Sequence, residues 1–326
     1  MSGTRGTLYF IGEWDVFTGE QSPYTKIGIV KDNRDVKSRE KDHRTGNPRK
    51  LESIKDIQAP YVQTLETYLH NTLAKSRVGS GEWFQLGSQQ LKEQMKLAEE
   101  LAMELSNSEA ALDAAEVLSD LENRTGTIEP TKDLLDKHHR LVSVQEELKV
   151  LKKQEKEVKD ALVDGFSGKE EWSHLFKTGE RKESVSFDGT AFKKAHPDVH
   201  AKFVFPKKSW AYEIVSTDAP LESMDLVELD LDAISADPIQ LHQKFLEIWS
   251  AKAQLSWQES LIEAALISAC AENLAIEGVL AWEEKTRNTF DKSAMLEEHP
   301  EFEREFQKTT EAKTTYSPAE WASYKI

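Results

Sequence analysis

The sequence predicts an α+β protein: a small three-stranded antiparallel sheet with flanking helices, then a mainly helical region with two copies of a helix–strand–helix–strand unit. Three observations predict this. Residues 1–90 alternate short β-rich runs with helical segments, residues 141–162 place apolar side chains at heptad spacing, and residues 187–203 recur at 290–306.

"TLYFIGEW" (7–14) has β-branched and aromatic residues without a helical period, so it reads as a strand. "GEQSP" is a turn and "YTKIGIV" (24–30) a second strand. "DVKSREKDHRTG" reads as a short helix that starts at an acidic cap and stops at Gly46. "LESIKDIQAP" is a third strand ended by Pro60. In "YVQTLETYLHNTLAKSRV", Val62, Leu65, Leu69 and Leu73 recur at spacings of 3, 4 and 4, which is one face of a helix. "GEWFQL" (81–86) closes the unit, with Trp83 and Phe84 expected in its core.

From about 88 to 162 the pattern is helical. Leu141, Val144, Leu148, Leu151, Val158 and Leu162 occupy a/d positions, and Glu155 fills the one missing slot. This stripe suits a coiled coil or a helical hairpin, closed either within the chain or by a second copy. Phe187, Asp188, Ala191, His196, Pro197 and Phe203 recur as Phe290, Asp291, Ala294, His299, Pro300 and Phe306, offset by 103 throughout. Each copy follows a long helical segment and ends on a strand-like "YEIV" or "YKI", the second after about nine extra residues. His196 and His299 each precede a proline at a helix break and read as packing or capping residues. "MDLVELDLDA" in the connector alternates like a strand with one acidic face. The expected organisation is a mixed unit (1–90), a helical connector (91–136), a stem with the first repeat (137–215), an acidic linker (216–238) and a stem with the second repeat (239–326).

Composition narrows the function. With 31% charged residues, 38% apolar residues and a mean hydropathy of −0.60, the chain should fold and dissolve. No apolar run approaches the ~18 residues of a membrane span, and "MSGTRGTLYF" lacks a signal-peptide apolar core. Cys270 is the single cysteine, so no disulfide forms within the chain. A bacterial or host cytoplasm is the expected location, without a membrane partner. The net charge of −16 is uneven: residues 1–90 hold 13 Lys+Arg against 11 Asp+Glu, and the rest hold 29 against 47. An acidic surface repels nucleic acid, so contact with DNA is expected only through residues 1–90.

The order "TLY" (7–9), "KIG" (26–28), Arg39 and His43 on one helical face, Glu66 on the next helix and "GEWF" (81–84) resembles the GIY-YIG nuclease superfamily, specifically its phage-type branch reading "KIG". The resemblance covers residues 6–88. It implies a metal-dependent endonuclease acting on DNA, with Tyr9, Lys26, Arg39, His43 and Glu66 as catalytic residues and Glu66 holding Mg²⁺ or Mn²⁺. These types suit phosphodiester hydrolysis, which needs a base for water, positive charge on the phosphorane and help for the leaving oxygen. Arg39 offers a planar fork to phosphate oxygens. Cations near Tyr9 favour its phenolate over a free phenol of pKa about 10, which makes Tyr9 the candidate base. The family usually has a tyrosine where Lys26 stands, so Lys26 also enters as an orienting group, a phosphate ligand or the base itself. His43 enters as a phosphate contact or proton carrier. No asparagine stands where many members carry one after the metal-binding helix.

The duplicated unit weakly resembles tail segments that follow the nuclease core in phage-type recombination exonucleases, and no catalytic residue comes across with it. The helical C-terminal region is expected to serve a homo-oligomer or a protein partner. Two other readings stay open: a nucleic-acid-binding module that has lost the chemistry, and a scaffold acting through the repeats.

Overall fold

The computed structural model describes residues 4–31, 34–44, 47–78, 81–166, 168–172, 176–180, 183–216, 237–311 and 314–318. The first unit contains β1 (Gly6–Trp14), β2 (Gln21–Lys31), α1 (Val36–Arg44), β3 (Lys50–Ala59), α2 (Val62–Thr72) and β4 (Trp83–Gln85). The architecture is the expected α+β, but the sheet has four strands, ordered β3-β1-β2-β4. The extra strand is three residues long, too short to show an alternation in sequence. Its place is set by backbone pairing of Lys26 with Trp83 and Thr25 with Phe84.

Strand alternation sorts the two faces of the sheet. Leu8, Phe10 and Ile27 join Leu65 and Leu69 of α2 in the main core. Tyr9 and Ile11 point the other way, into a smaller cluster with Val30, Val36 of α1 and Leu51. A long helix, α3 (Ser88–Ser119), packs its stripe Leu91, Ala98, Leu101, Ala102, Leu105 and Leu112 into the main core.

After β5 (Thr127–Ile128) come α4 (Lys132–Phe166), β6 (Phe176–Glu180), β7 (Ser184–Phe187), α5 (Gly189–Ala195), α6 (Pro197–Lys202) and β8 (Val204–Ile214). Beyond the linker lie α7 (Pro238–Cys270), β9 (Ala275–Ile276), β10 (Leu280–Phe290), α8 (Lys292–Glu298), α9 (Phe302–Glu305), β11 (Gln307–Thr310) and β12 (Thr314–Pro318). The heptad stripe of α4 is covered by α7 of the same chain: Val144, Leu148, Leu151, Val158 and Leu162 cluster with Leu241, Phe245, Ile248 and Trp249. The pair is antiparallel, with Arg140 on Gln258 near one end and Lys159 over Phe245 near the other. Glu155, in the polar slot of the stripe, is clasped by Lys159 and Lys252.

The two repeats exchange strands. β10, which leads into the second copy, pairs with β8, which leaves the first, and β7 pairs with β11 in the same way. Phe290 lies opposite Val204 and Phe187 opposite Gln307, two pairs related by the sequence offset of 103. The Asp188 N–H donates to Phe306 O and the Asp291 N–H to Phe203 O, both at 2.8 Å. The copies therefore face each other across a pseudo-two-fold axis, sharing a core of Phe192, Met295 and Phe302. Asp188 and Asp291 cap the following helices. The His196 ring lies 4.6 Å from that of Phe302, a packing role as expected. The counterpart of the "YEIV" strand end is Thr314–Pro318, so no insertion precedes the second copy's last strand. "YKI" and "MDLVELDLDA" lie outside the described residues.

Candidate active site

Five sequence-predicted residues meet where β4 begins against β2. The Ile27 N–H donates to Glu82 O at 3.0 Å, just before β4 begins at Trp83. Tyr9 of β1 lies opposite Gly28 of β2, and its ring covers that glycine. A Cβ at position 28 would stand 2.5 Å from the Tyr9 hydroxyl, so only glycine leaves room for the phenol. This explains the glycine of "KIG" without any appeal to turns.

Around the phenol, His43 of α1 brings Nε2 to 3.4 Å from the Tyr9 oxygen, and the Arg39 charge acts on the same group. Arg39 also lies 3.7 Å from Asp42. Lys26, 7% exposed, places Nζ 2.6 Å from Glu82 Oε2. Glu66 projects from α2, within electrostatic reach of Glu82, Lys26, Arg39 and Arg77. Sequence reasoning missed Glu82 and Arg77. Strand periodicity marks neither, because Glu82 precedes β4 and Arg77 follows a short 3-10 turn. The available signal was chemical: a lone carboxylate beside the aromatic pair of "GEWF".

Burial sets the protonation states. The Tyr9 phenol is pushed up to about 12 by burial and by Glu82, against the smaller opposing pull of Arg39. The expectation that neighbouring cations would ease its ionisation is therefore reversed, since the site holds two carboxylates as well as cations. Burial, Lys26 and Arg39 hold His43 below its ordinary value, so its imidazole is neutral at pH 7. Glu82 is held below the usual carboxylate range: burial opposes this, but the Lys26 hydrogen bond and charge outweigh it. Glu66 goes the other way, to about 8, through burial and the nearby Glu82. His70, one turn along α2, is buried and donates from Nε2 to Ile27 O at 2.9 Å, tying α2 to β2. Burial lowers its pKa to about 4, which keeps it neutral in this role.

Glu66 engages in no hydrogen bond or ion pair among the described residues. A half-buried carboxyl facing another carboxylate and lacking a partner fits a single divalent cation whose other ligands are water and substrate oxygens. No group of three or more His, Cys, Asp or Glu is arranged to hold an ion among the described residues.

Residues 6–99 match the T5orf172 domain, a phage-associated, nuclease-like domain related to GIY-YIG-type folds. The match covers less than a third of the chain. No curated protein and no solved structure matches the chain.

Proposed function

We propose that residues 6–99 are a GIY-YIG-type endonuclease of the "KIG" branch, hydrolysing DNA phosphodiester bonds with Mg²⁺ or Mn²⁺ at Glu66. The observation that carries this reading is the partnerless carboxyl of Glu66 beside Lys26, Arg39 and the Tyr9–His43 contact. A divalent ion bound there would neutralise phosphate charge and stabilise the leaving oxygen.

The chain's own residues supply the rest. Arg39, half-exposed beside the phenol, offers its guanidinium to non-bridging phosphate oxygens as negative charge builds on them. Lys26, engaged by Glu82, is a positioned cation rather than a proton acceptor. The protonated Tyr9 passes its hydroxyl proton to neutral His43 as its oxygen takes one from the attacking water. The net transfer is from water to imidazole, through a 3.4 Å contact that substrate must tighten. The C-terminal lobe then acts as a scaffold for oligomers or a partner, in a protein of phage or prophage origin.

Incubation with supercoiled, linear and single-stranded DNA tests the reading. Strand breaks that need Mg²⁺ or Mn²⁺ and stop on chelation are expected. Absence of cutting on every substrate, with salt-sensitive binding retained, would identify a binding module instead.

A further inference from the structure

The β1–β2 hairpin ends in an apolar tip that no core absorbs. Phe17 is 94% exposed and the adjacent Val16 58% exposed. A single exposed apolar residue is ordinary on a protein surface, but this one is held on a rigid turn. Asp15 Oδ1 accepts from the N–H groups of Phe17 and Thr18, both at 2.9 Å. The Gly19 N–H donates to Asp15 O and the Asp15 N–H to Glu20 O, while Gly19 takes the positive φ of 72° that closes the loop. Aromatic exposure here is structurally enforced.

A basic strip joins this tip to the candidate site. Residues 31–50 hold eight Lys or Arg against four Asp or Glu, in a chain of net charge −16. From His43 the chain passes Arg44, which donates to Leu51 O, and Asn47, which donates to Glu13 Oε1 beside the hairpin. It then reaches Arg49, whose charge acts on Asp15 at the tip. Arg34, Arg44 and Lys50 are exposed but paired with Asp42, Glu40 and Glu52, while the exposed Arg49 makes no ion pair among the described residues. Phe17 stands eight residues beyond Tyr9 along β1 and its turn. The five strand steps from Tyr9 to Trp14 span about 17 Å at ~3.3 Å per residue, and the turn carries Phe17 about 3 Å further, roughly six nucleotides away at 3.4 Å each.

From this juxtaposition we infer that the hairpin tip is a DNA wedge: Phe17 inserts between bases about half a helical turn from the scissile phosphate, while Arg44 and Arg49 hold the intervening backbone. The inference rests on the nuclease reading and assigns that site a substrate class, duplexes with an easily unstacked step. Apolar wedges of this kind unstack base steps when flanking cations hold the phosphates.

The test uses the full-length chain without divalent metal, so that binding is read apart from cleavage. Duplexes carry 2-aminopurine at successive positions, either fully paired or with one mismatch. Wild type should raise the fluorescence at one position and bind the mismatched duplex more tightly. Phe17→Ala should lose the fluorescence rise and about tenfold in affinity for that duplex, and Phe17→Trp should keep both. Phe17→Ala binding and unstacking like wild type would overturn the wedge and leave the nuclease untouched. No DNA binding by wild type would sink the wedge, and the nuclease reading falls with it only when added Mg²⁺ or Mn²⁺ also elicits no cutting. Binding by wild type without any fluorescence change would sink the wedge alone.

Discussion

Glu66 and His70 stand one helical turn apart, and the same burial drives their pKa values in opposite directions. The Glu66 carboxyl rises from 4.5 to about 8, so the folded state loses stability as pH climbs through that interval. The His70 imidazole falls from 6.5 to about 4, so stability is lost as pH drops through that interval. Glu66→Gln should therefore stabilise the metal-free protein by a few kcal/mol at pH 8 and leave it little changed at pH 5. Thermal unfolding at the two pH values reads this difference directly. Gly28→Ala should cost about 1–3 kcal/mol in urea denaturation, because the added methyl meets the fully buried Tyr9 ring. It should also slow DNA cleavage at least tenfold by moving the phenol. At this scale the sequence was legible where chemistry and order coincide, as at Tyr9, Lys26, Arg39, His43 and Glu66. It was opaque to the balance of charges, since Glu82 approaches Tyr9, Lys26 and Glu66 only through the pairing of β4 with β2.

At the scale of elements, α7 holds the molecule together. It covers the stripe of α4, and Trp257 meets Tyr68 of α2 edge-on at 5.0 Å. The Lys75–Glu247 ion pair and the Ser250 hydroxyl donating to Thr72 O add to the brace on the helix that bears Glu66. The heptads revealed which face of α4 is buried, but not what covers it. The covering helix packs against α2, α3 and α4 at once and so carries no single apolar stripe. Within this interface Glu155 lies between two lysines, and Lys252 is the more buried of them. Glu155→Leu alone should destabilise the protein by about 3–5 kcal/mol, because it strands a buried ammonium. Adding Lys252→Met should recover most of that loss, and a double-mutant cycle measures the coupling.

Across the whole molecule, the offset of 103 residues announced a duplication but not its consequence. Sequence similarity is blind to whether strands pair within a copy or between copies, and here they pair between copies. Each copy is consequently incomplete alone. A chain ending at residue 274 should lose protease resistance across residues 184–214, where β7 and β8 would lack their partner strands. The first unit, whose core is completed by α3 and the retained α7, should stay resistant. Intact residues 184–214 in the shortened chain would show that the first copy folds by itself.

Everything proposed about the site converges on the carboxyl of Glu66. The most direct measurement compares plasmid nicking by wild type and Glu66→Ala, purified in parallel, with Mg²⁺ or Mn²⁺ present. Nicking by wild type and a fall of at least a hundredfold in the variant, with its fold intact, is the expected result. Equal nicking by both proteins would contradict it and place the chemistry, or the activity itself, outside this cluster.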